Sequence, residues 1–100
     1  MNKLIFTPEF EKDYQRETKN DVKIRQKILK TLEYLQQNPF YPSLKSHKVD
    51  TKKYENVWSS WITSDLRLVW QFDNEQKLTI ICLQIGKHSG ANQIYKHKSS

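Results

Sequence analysis

The chain is short of several residue types, and each shortage removes a class of protein. Cysteine occurs once in 100 residues, so no disulfide framework can form within the chain. That cysteine, Cys82, stands inside an apolar run and reads as a small buried hydrophobe rather than a reactive thiol. Glycine occurs only as Gly86 and Gly90, which excludes a glycine-rich phosphate loop and with it ATP-driven chemistry. No serine stands in a nucleophile-elbow motif, so hydrolysis through a covalent serine is not expected. No stretch reaches the ~18 apolar residues of a membrane span. The opening MNKLIFTPEFEKD lacks the apolar core and small-residue cleavage site of a secretion signal. One cytoplasmic domain is the expectation. The three histidines lie far apart and no carboxylate is spaced to join one, so neither a metal site nor a cofactor is expected. Acid is scarce as well: 17 Lys and Arg against 11 Asp and Glu leave a net charge of +6. That excess suits an anionic partner such as nucleic acid, a membrane surface or an acidic protein.

What is present has a clear order. Lys3 to Phe6 reads as a short strand. Thr7 offers a hydroxyl cap, Pro8 fits the first helical position, and Glu9 suits the positive helix end, so a helix is predicted to about Thr18. After the polar break TKND, the spacing of Ile24, Ile28, Leu29, Leu32 and Leu35 predicts a second helix from Val22 to about Gln37. Asn38 and Pro39 end it. Residues 39–55 show no period and read as an irregular, lysine-rich surface segment with Phe40 and Leu44 tacked to the core. NVWSSWIT, LRLVWQF and LTIICLQI then read as three strands joined by hairpin turns, an antiparallel meander with the first strand added at one edge. The expected fold is α+β: two N-terminal helices packed on a small, mainly antiparallel four-stranded sheet.

Alternation places Leu66, Leu68 and Trp70 on one face of the middle strand and Arg67, Val69 and Gln71 on the other. The leucine face is the better match for the helices, so Arg67 emerges on the opposite side. Its donor fork suits a phosphate; the competing reading is a surface ion pair with Asp65 or Glu75. The stretch TIICLQIGKHSG ends an apolar strand on Lys87 and His88, with Gly86 expected to release the backbone. His88 is a candidate proton-transfer group, or else an ordinary solvent-exposed histidine. His47 has a weaker claim, and His97 has none. Lys45, Lys48, Lys52 and Lys53 form a basic cluster suited to a phosphate backbone. Tyr54, Trp58, Trp61 and Tyr95 are candidates for stacking on unpaired bases, and Trp58 and Trp61 fall on opposite strand faces. RNA carries its own nucleophile, the 2′-hydroxyl, so an acid, a base and cations suffice for its cleavage.

At these same residues the chain resembles a family. The two helices, then DLRLVWQF, LQIGKH and a final IY, resemble bacterial toxins of the RelE/ParE superfamily over nearly the whole chain. LKSHKV with W-S-x-W-I-x-x-D-x-R and I-G-x-H is similar to the histidine-containing RelE-like members. The resemblance implies a single toxin domain over residues 1–100. It implies a ribosome-dependent endoribonuclease that cuts messenger RNA by metal-free acid–base chemistry with 2′-hydroxyl attack. A cognate antitoxin would restrain it, and operator DNA would be met only through the antitoxin complex. Arg67 corresponds to an arginine that contacts the scissile phosphate, and His88 to a catalytic arginine or histidine. Tyr95 corresponds to a C-terminal aromatic, Asp65 to an acidic residue and His47 to an earlier histidine of the histidine-bearing members. Lys45, Lys48, Lys52, Lys53, Lys87 and Trp61 are the expected RNA contacts. The chain departs from some relatives at Trp58, Ser60 and Gln84, where they carry cations, and its interval from His88 to Tyr95 is one residue longer. The alternatives are a ParE-like gyrase-inhibiting toxin and a catalytically inactive relative that binds only its antitoxin.

Overall fold

In the computed structural model, residues 1–96 are described. Strand β1 (Lys3–Phe6) leads into helix α1 (Pro8–Thr18) and helix α2 (Val22–Gln37). A single 3₁₀ turn (Pro42–Leu44) precedes β2 (His47–Val49), β3 (Val57–Trp61), β4 (Leu66–Phe72) and β5 (Thr79–Lys87). The predicted N-cap of α1 forms. Thr7 Oγ1 accepts from the Phe10 N–H at 3.0 Å, Pro8 takes the first turn, and Glu9 and Glu11 lie at the positive end of α1. Asp21 caps α2 in the same way, accepting from Ile24 N–H at 3.0 Å.

The sheet has five strands in the order β1-β5-β4-β3-β2, with β1 parallel to β5 and the other pairs antiparallel. The expectation of four strands is corrected by β2, which lies in the segment read as irregular. Three residues, two of them polar, carry too little alternation to show a period of two. Pairing of His47 with Ser59 and Val49 with Val57 makes them an edge strand.

The helices cover the leucine face, as expected. Leu66, Leu68, Trp70, Ile80, Cys82 and Ile85 pack against Phe10, Ile28, Leu35 and Leu44, all buried. A fully buried leucine or isoleucine is worth ~1.5–3 kcal/mol, so this layer carries most of the stability. The Trp70 indole N–H is satisfied within it by Ser60 Oγ at 2.8 Å. A register shift between Val69 and Trp70 turns Cys82 and Ile85 to the same side although they are three residues apart. Leu29, counted into the apolar stripe of α2, is 50% exposed.

The far face has a smaller core of Val57, Val69 and Leu83, closed by Val49, Tyr54, Ile81 and Ile94. Residue 94 is there because the chain after β5 folds back. Ile94 N–H donates to Lys87 O at 3.1 Å, Lys52 N–H to Ile94 O at 2.9 Å, and Lys96 N–H to Asp50 O at 3.1 Å. β5 runs through Gly86 to Lys87. Contrary to the expectation from sequence, Gly86 does not release the backbone; it clears space for Ile94, whose Cγ2 lies against the position a Cβ would take.

β1 covers the outer edge of β5 only as far as Cys82. Beyond it, side chains of the α1 segment take over the edge bonds. Thr7 Oγ1 donates to Leu83 O at 2.9 Å, Ile85 N–H donates to Asp13 Oδ2 at 2.9 Å, and Arg16 Nη2 donates to Ile85 O at 3.3 Å. His97 lies outside the described residues.

Candidate active site

The far face opens at the end of the sheet where β3 turns into β4. Trp61 and Arg67 are register partners there, on the side away from the helices. The guanidinium carbon of Arg67 lies 4.1 Å from the Trp61 ring centroid, and Lys45 Nζ lies at the same distance from the same ring. Lys45 reaches it from a left-handed backbone conformation (φ 48°) after the 3₁₀ turn. Arg67 Nη1 donates to Thr63 O at 2.7 Å and to Leu66 O at 3.3 Å. Arg67 is only 2% exposed, and its Nε is buried without a hydrogen-bond partner among the described residues. It forms no salt bridge with Asp65 or Glu75, so the ion-pair reading of this residue does not hold. Burial lowers its proton affinity, while Tyr95 and Asp65 act in the opposite direction.

The returning chain sets Tyr95 beside this arginine. The Tyr95 hydroxyl is 2.5 Å from Ser59 Oγ, and Ser59 is fully buried on β3, two residues before Trp61 on the same face. The Tyr95 backbone bridges Thr51, and the Tyr95 N–H donates to Gln93 Oε1 at 2.6 Å. Burial raises the Tyr95 pKa, with the Ser59 hydrogen bond and the Arg67 charge pulling it down, so the phenol is neutral at pH 7. His88 meets Tyr95 edge-on, with centroids 5.6 Å apart and an interplanar angle of 78°. The His88 imidazole is exposed, and its backbone N–H is held by Asp65 O at 2.7 Å. The longer interval between His88 and Tyr95 thus leaves the two rings in contact.

The other candidates divide into two groups. Asp65 and Lys87 pair with each other at 3.5 Å on the rim, both about half exposed, where such a pair is worth little. His47 is exposed, shares the register position of Ser59, and has Nδ1 3.0 Å from Lys45 O. These residues stand around Arg67, Trp61, Tyr95, His88 and Lys45. Lys48 does not join them. Its Nζ donates to Asn56 O at 3.1 Å and lies 5.1 Å from the Trp58 ring, which stacks on Trp70 in the helix-side core. Lys53 is tied to Glu9 of α1 at 2.6 Å, and Tyr54 donates to the same carboxylate at 3.1 Å. Lys52 is exposed beside the returning chain rather than at Trp61. Two contributors escaped the sequence reading: Ser59, an unremarked small residue in strand alternation with Trp61, and the Thr63 carbonyl, which no side-chain pattern announces. Among the described residues no three histidine, cysteine or acidic side chains converge on a point where a metal could sit.

Two helices on one side of a mainly antiparallel sheet, with a basic and aromatic cluster on the other, is the α+β architecture of RelE-like toxins. Residues 2–92 match the family described as bacterial toxin of type II toxin–antitoxin system, YafQ, and the chain belongs to that family. The fold is similar to that of a YoeB/ParE toxin from Agrobacterium tumefaciens (TM-score 0.69, 19% identity, 94% of this chain and 99% of that one). It is also similar to YafQ from E. coli BL21(DE3) (TM-score 0.68, 15% identity, 87% and 93%). A third similar structure is a heterotetrameric YoeB–YefM toxin–antitoxin complex from Staphylococcus aureus (TM-score 0.64, 21% identity, 98% and 99%). No curated protein matches the sequence.

Proposed function

We propose that this toxin is a ribosome-dependent endoribonuclease that cuts messenger RNA without a metal. The observation that carries the proposal is the exposed His88 imidazole, set against the Tyr95 phenol above a buried, uncompensated Arg67 charge. An imidazole and a guanidinium that flank the same phenol suit a phosphodiester, whose transition state gathers negative charge on the phosphoryl oxygens. The 2′-hydroxyl attacks phosphorus and gives its proton to a base. The P–O5′ bond breaks, and His88 gives its proton to the departing 5′-oxygen. The products are a 2′,3′-cyclic phosphate and a 5′-hydroxyl. His47, exposed on the other side of Lys45, and Asp65 on the rim are the nearest candidates for the base. Lys45 and Lys87 provide exposed charge for flanking phosphates.

The +6 charge suits an acidic antitoxin. The S. aureus relative assembles with its antitoxin YefM, and a comparable cognate partner is proposed here. Purification from the native host at physiological salt then yields a stoichiometric small partner. The function is tested by adding the chain to translating ribosomes and determining the ends of the cut RNA by mass spectrometry. A cyclic phosphate upstream of the cut supports the mechanism. A 5′-phosphate downstream excludes it, and inhibition of DNA gyrase with intact RNA replaces it by the ParE-like alternative.

A further inference from the structure

We infer that Trp61 is the platform on which the base of the nucleotide upstream of the cut stacks, and that the Lys45 side chain is a displaceable cover over it. The choice of the upstream nucleotide rests on the nuclease proposal; the stacking itself is tested apart from cleavage.

Trp61, Arg67 and Gly86 form one row across β3, β4 and β5. Neighbouring strands lie ~4.8 Å apart, so the row spans ~10 Å. It sets the indole on one side of the arginine, and His88, two residues past Gly86, on the other. A phosphate fits between them at Arg67, whose Nη2 is free of the turn carbonyls that Nη1 holds. The 5′-oxygen departs toward His88 on the β5 side. The nucleotide that carries the attacking 2′-hydroxyl then lies toward β3, where Trp61 stands and where His47 shares the register position of Ser59. An indole gives a flat face to any base, and the larger purines gain most from it. Other aromatic candidates are engaged elsewhere, Trp58 on Trp70 in the helix-side core and Tyr54 on Glu9.

The face of Trp61 is occupied in the free chain. Arg67 Cζ and Lys45 Nζ each lie 4.1 Å from the ring centroid. On one face of the ring the two like charges would be pressed together. The arrangement that separates them has the buried Arg67 beneath the indole and the exposed Lys45 above it. The Lys45 backbone is fixed: its N–H donates to Pro42 O at 3.2 Å, and the Ser46 hydroxyl that follows donates to Pro39 O at 2.7 Å. Only the side chain is left to move. An exposed ammonium gains little from a ring face, and a charge-assisted bond to a phosphate holds it better. A nucleotide supplies both halves of the exchange. Its phosphate draws Lys45 away, and its base takes the vacated face while Arg67 stays beneath.

The first test needs no cleavage. The full chain, labelled with 5-fluorotryptophan, is titrated with a trinucleotide made uncuttable by a 2′-deoxy sugar. A saturable shift of the Trp61 fluorine signal is expected, and it should vanish when the same trinucleotide lacks its upstream base. Lys45→Met should move that signal in the free chain and leave those of Trp58 and Trp70 in place. No shift with the trinucleotide overturns the platform, and no change in Lys45→Met overturns the cover. The second test is single-turnover cleavage on ribosomes, with messengers in which one nucleotide keeps its ribose but has no base. Loss of the upstream base should slow the wild-type chain ~10-fold or more, and loss of the downstream base far less. Trp61→Leu should be slowed by a similar factor on the intact messenger and lose nothing further without the upstream base, while Trp61→Tyr keeps most of the rate. Equal slowing by loss of either base, or a Trp61→Leu chain that still slows ~10-fold when the upstream base is gone, overturns the inference. An intact messenger left uncut by the wild-type chain removes the nuclease reading instead, and the fluorine titration then decides the platform alone.

Discussion

Ile94 occupies the space that a side chain at position 86 would need. Gly86 is not in the left-handed region, so what it provides is room and not backbone freedom. Gly86→Ala is expected to push the returning chain off β5 and to cost ~1–3 kcal/mol in urea unfolding, the range for overpacking. Adding Ile94→Ala to the same chain should recover part of that loss. If the double variant is less stable than the sum of the two single ones, the contact is not the cause.

The Ser59–Tyr95 hydroxyl pair gives a second expectation. Ser59→Ala removes a hydrogen bond worth ~0.5–1.5 kcal/mol net. It also removes an influence that lowers the Tyr95 pKa, so burial acts with less opposition and the phenol ionises at higher pH than in wild type. Absorbance at the phenolate band, taken as the difference from a Tyr95→Phe chain, reads the shift. An unchanged or lower midpoint removes Ser59 from this role.

His88→Gln is expected to slow single-turnover cleavage on ribosomes by ~10²–10⁴-fold, the usual contribution of a general acid. Ribosome binding should change little, because the glutamine keeps size and polarity at an exposed position. Undiminished cleavage returns His88 to a plain surface histidine.

Cys82 is the reverse case, a titratable group kept from reacting. Burial pushes its pKa from an ordinary 9.0 up to about 12. The folded chain then holds a proton that the unfolded chain gives up above pH 9.0. Stability is whole below that value and falls as pH rises toward 12, by ~1.4 kcal/mol per pH unit inside the window. Tyr54 and Tyr95, whose pKa values are also raised, add to the loss above their ordinary 10.0. Urea midpoints measured from pH 8 to 11 should slope down, and Cys82→Ala should flatten that slope from a lower starting stability. At pH 8 a thiol reagent should modify the native chain only as fast as it unfolds.

The helices were legible because each carries its own start and stop: Thr7 and Pro8 for α1, the polar break with Asp21 for α2, and Asn38 at its end. β4 was legible because Leu66, Leu68 and Trp70 alternate with Arg67 and Val69 over seven residues. β2 was not, since its pairing comes from β3 and not from its own three residues. Within the site, strand alternation correctly set Arg67 apart from the helix-facing leucines and Trp61 apart from Trp58. It could not show that Arg67 is buried, because one of the groups beside it, Tyr95, lies 28 residues further along the sequence. Nor could charge counting separate Lys45, which meets Trp61, from Lys53, which α1 draws away through Glu9.

The parallel pairing of Lys3 with Thr79 has a kinetic side. β1 is made first, yet among the described residues its only partner in the sheet is the last strand of the meander. The hairpins of β3, β4 and β5 close short loops and can form early, whereas the β1–β5 contact must close nearly the whole chain. Thr7, Asp13 and Arg16 reach the edge of β5 at similar separation, so α1 docks in the same late step. Until then the outer edge of β5 is an open strand edge, the place where a slow folder of this topology meets other chains.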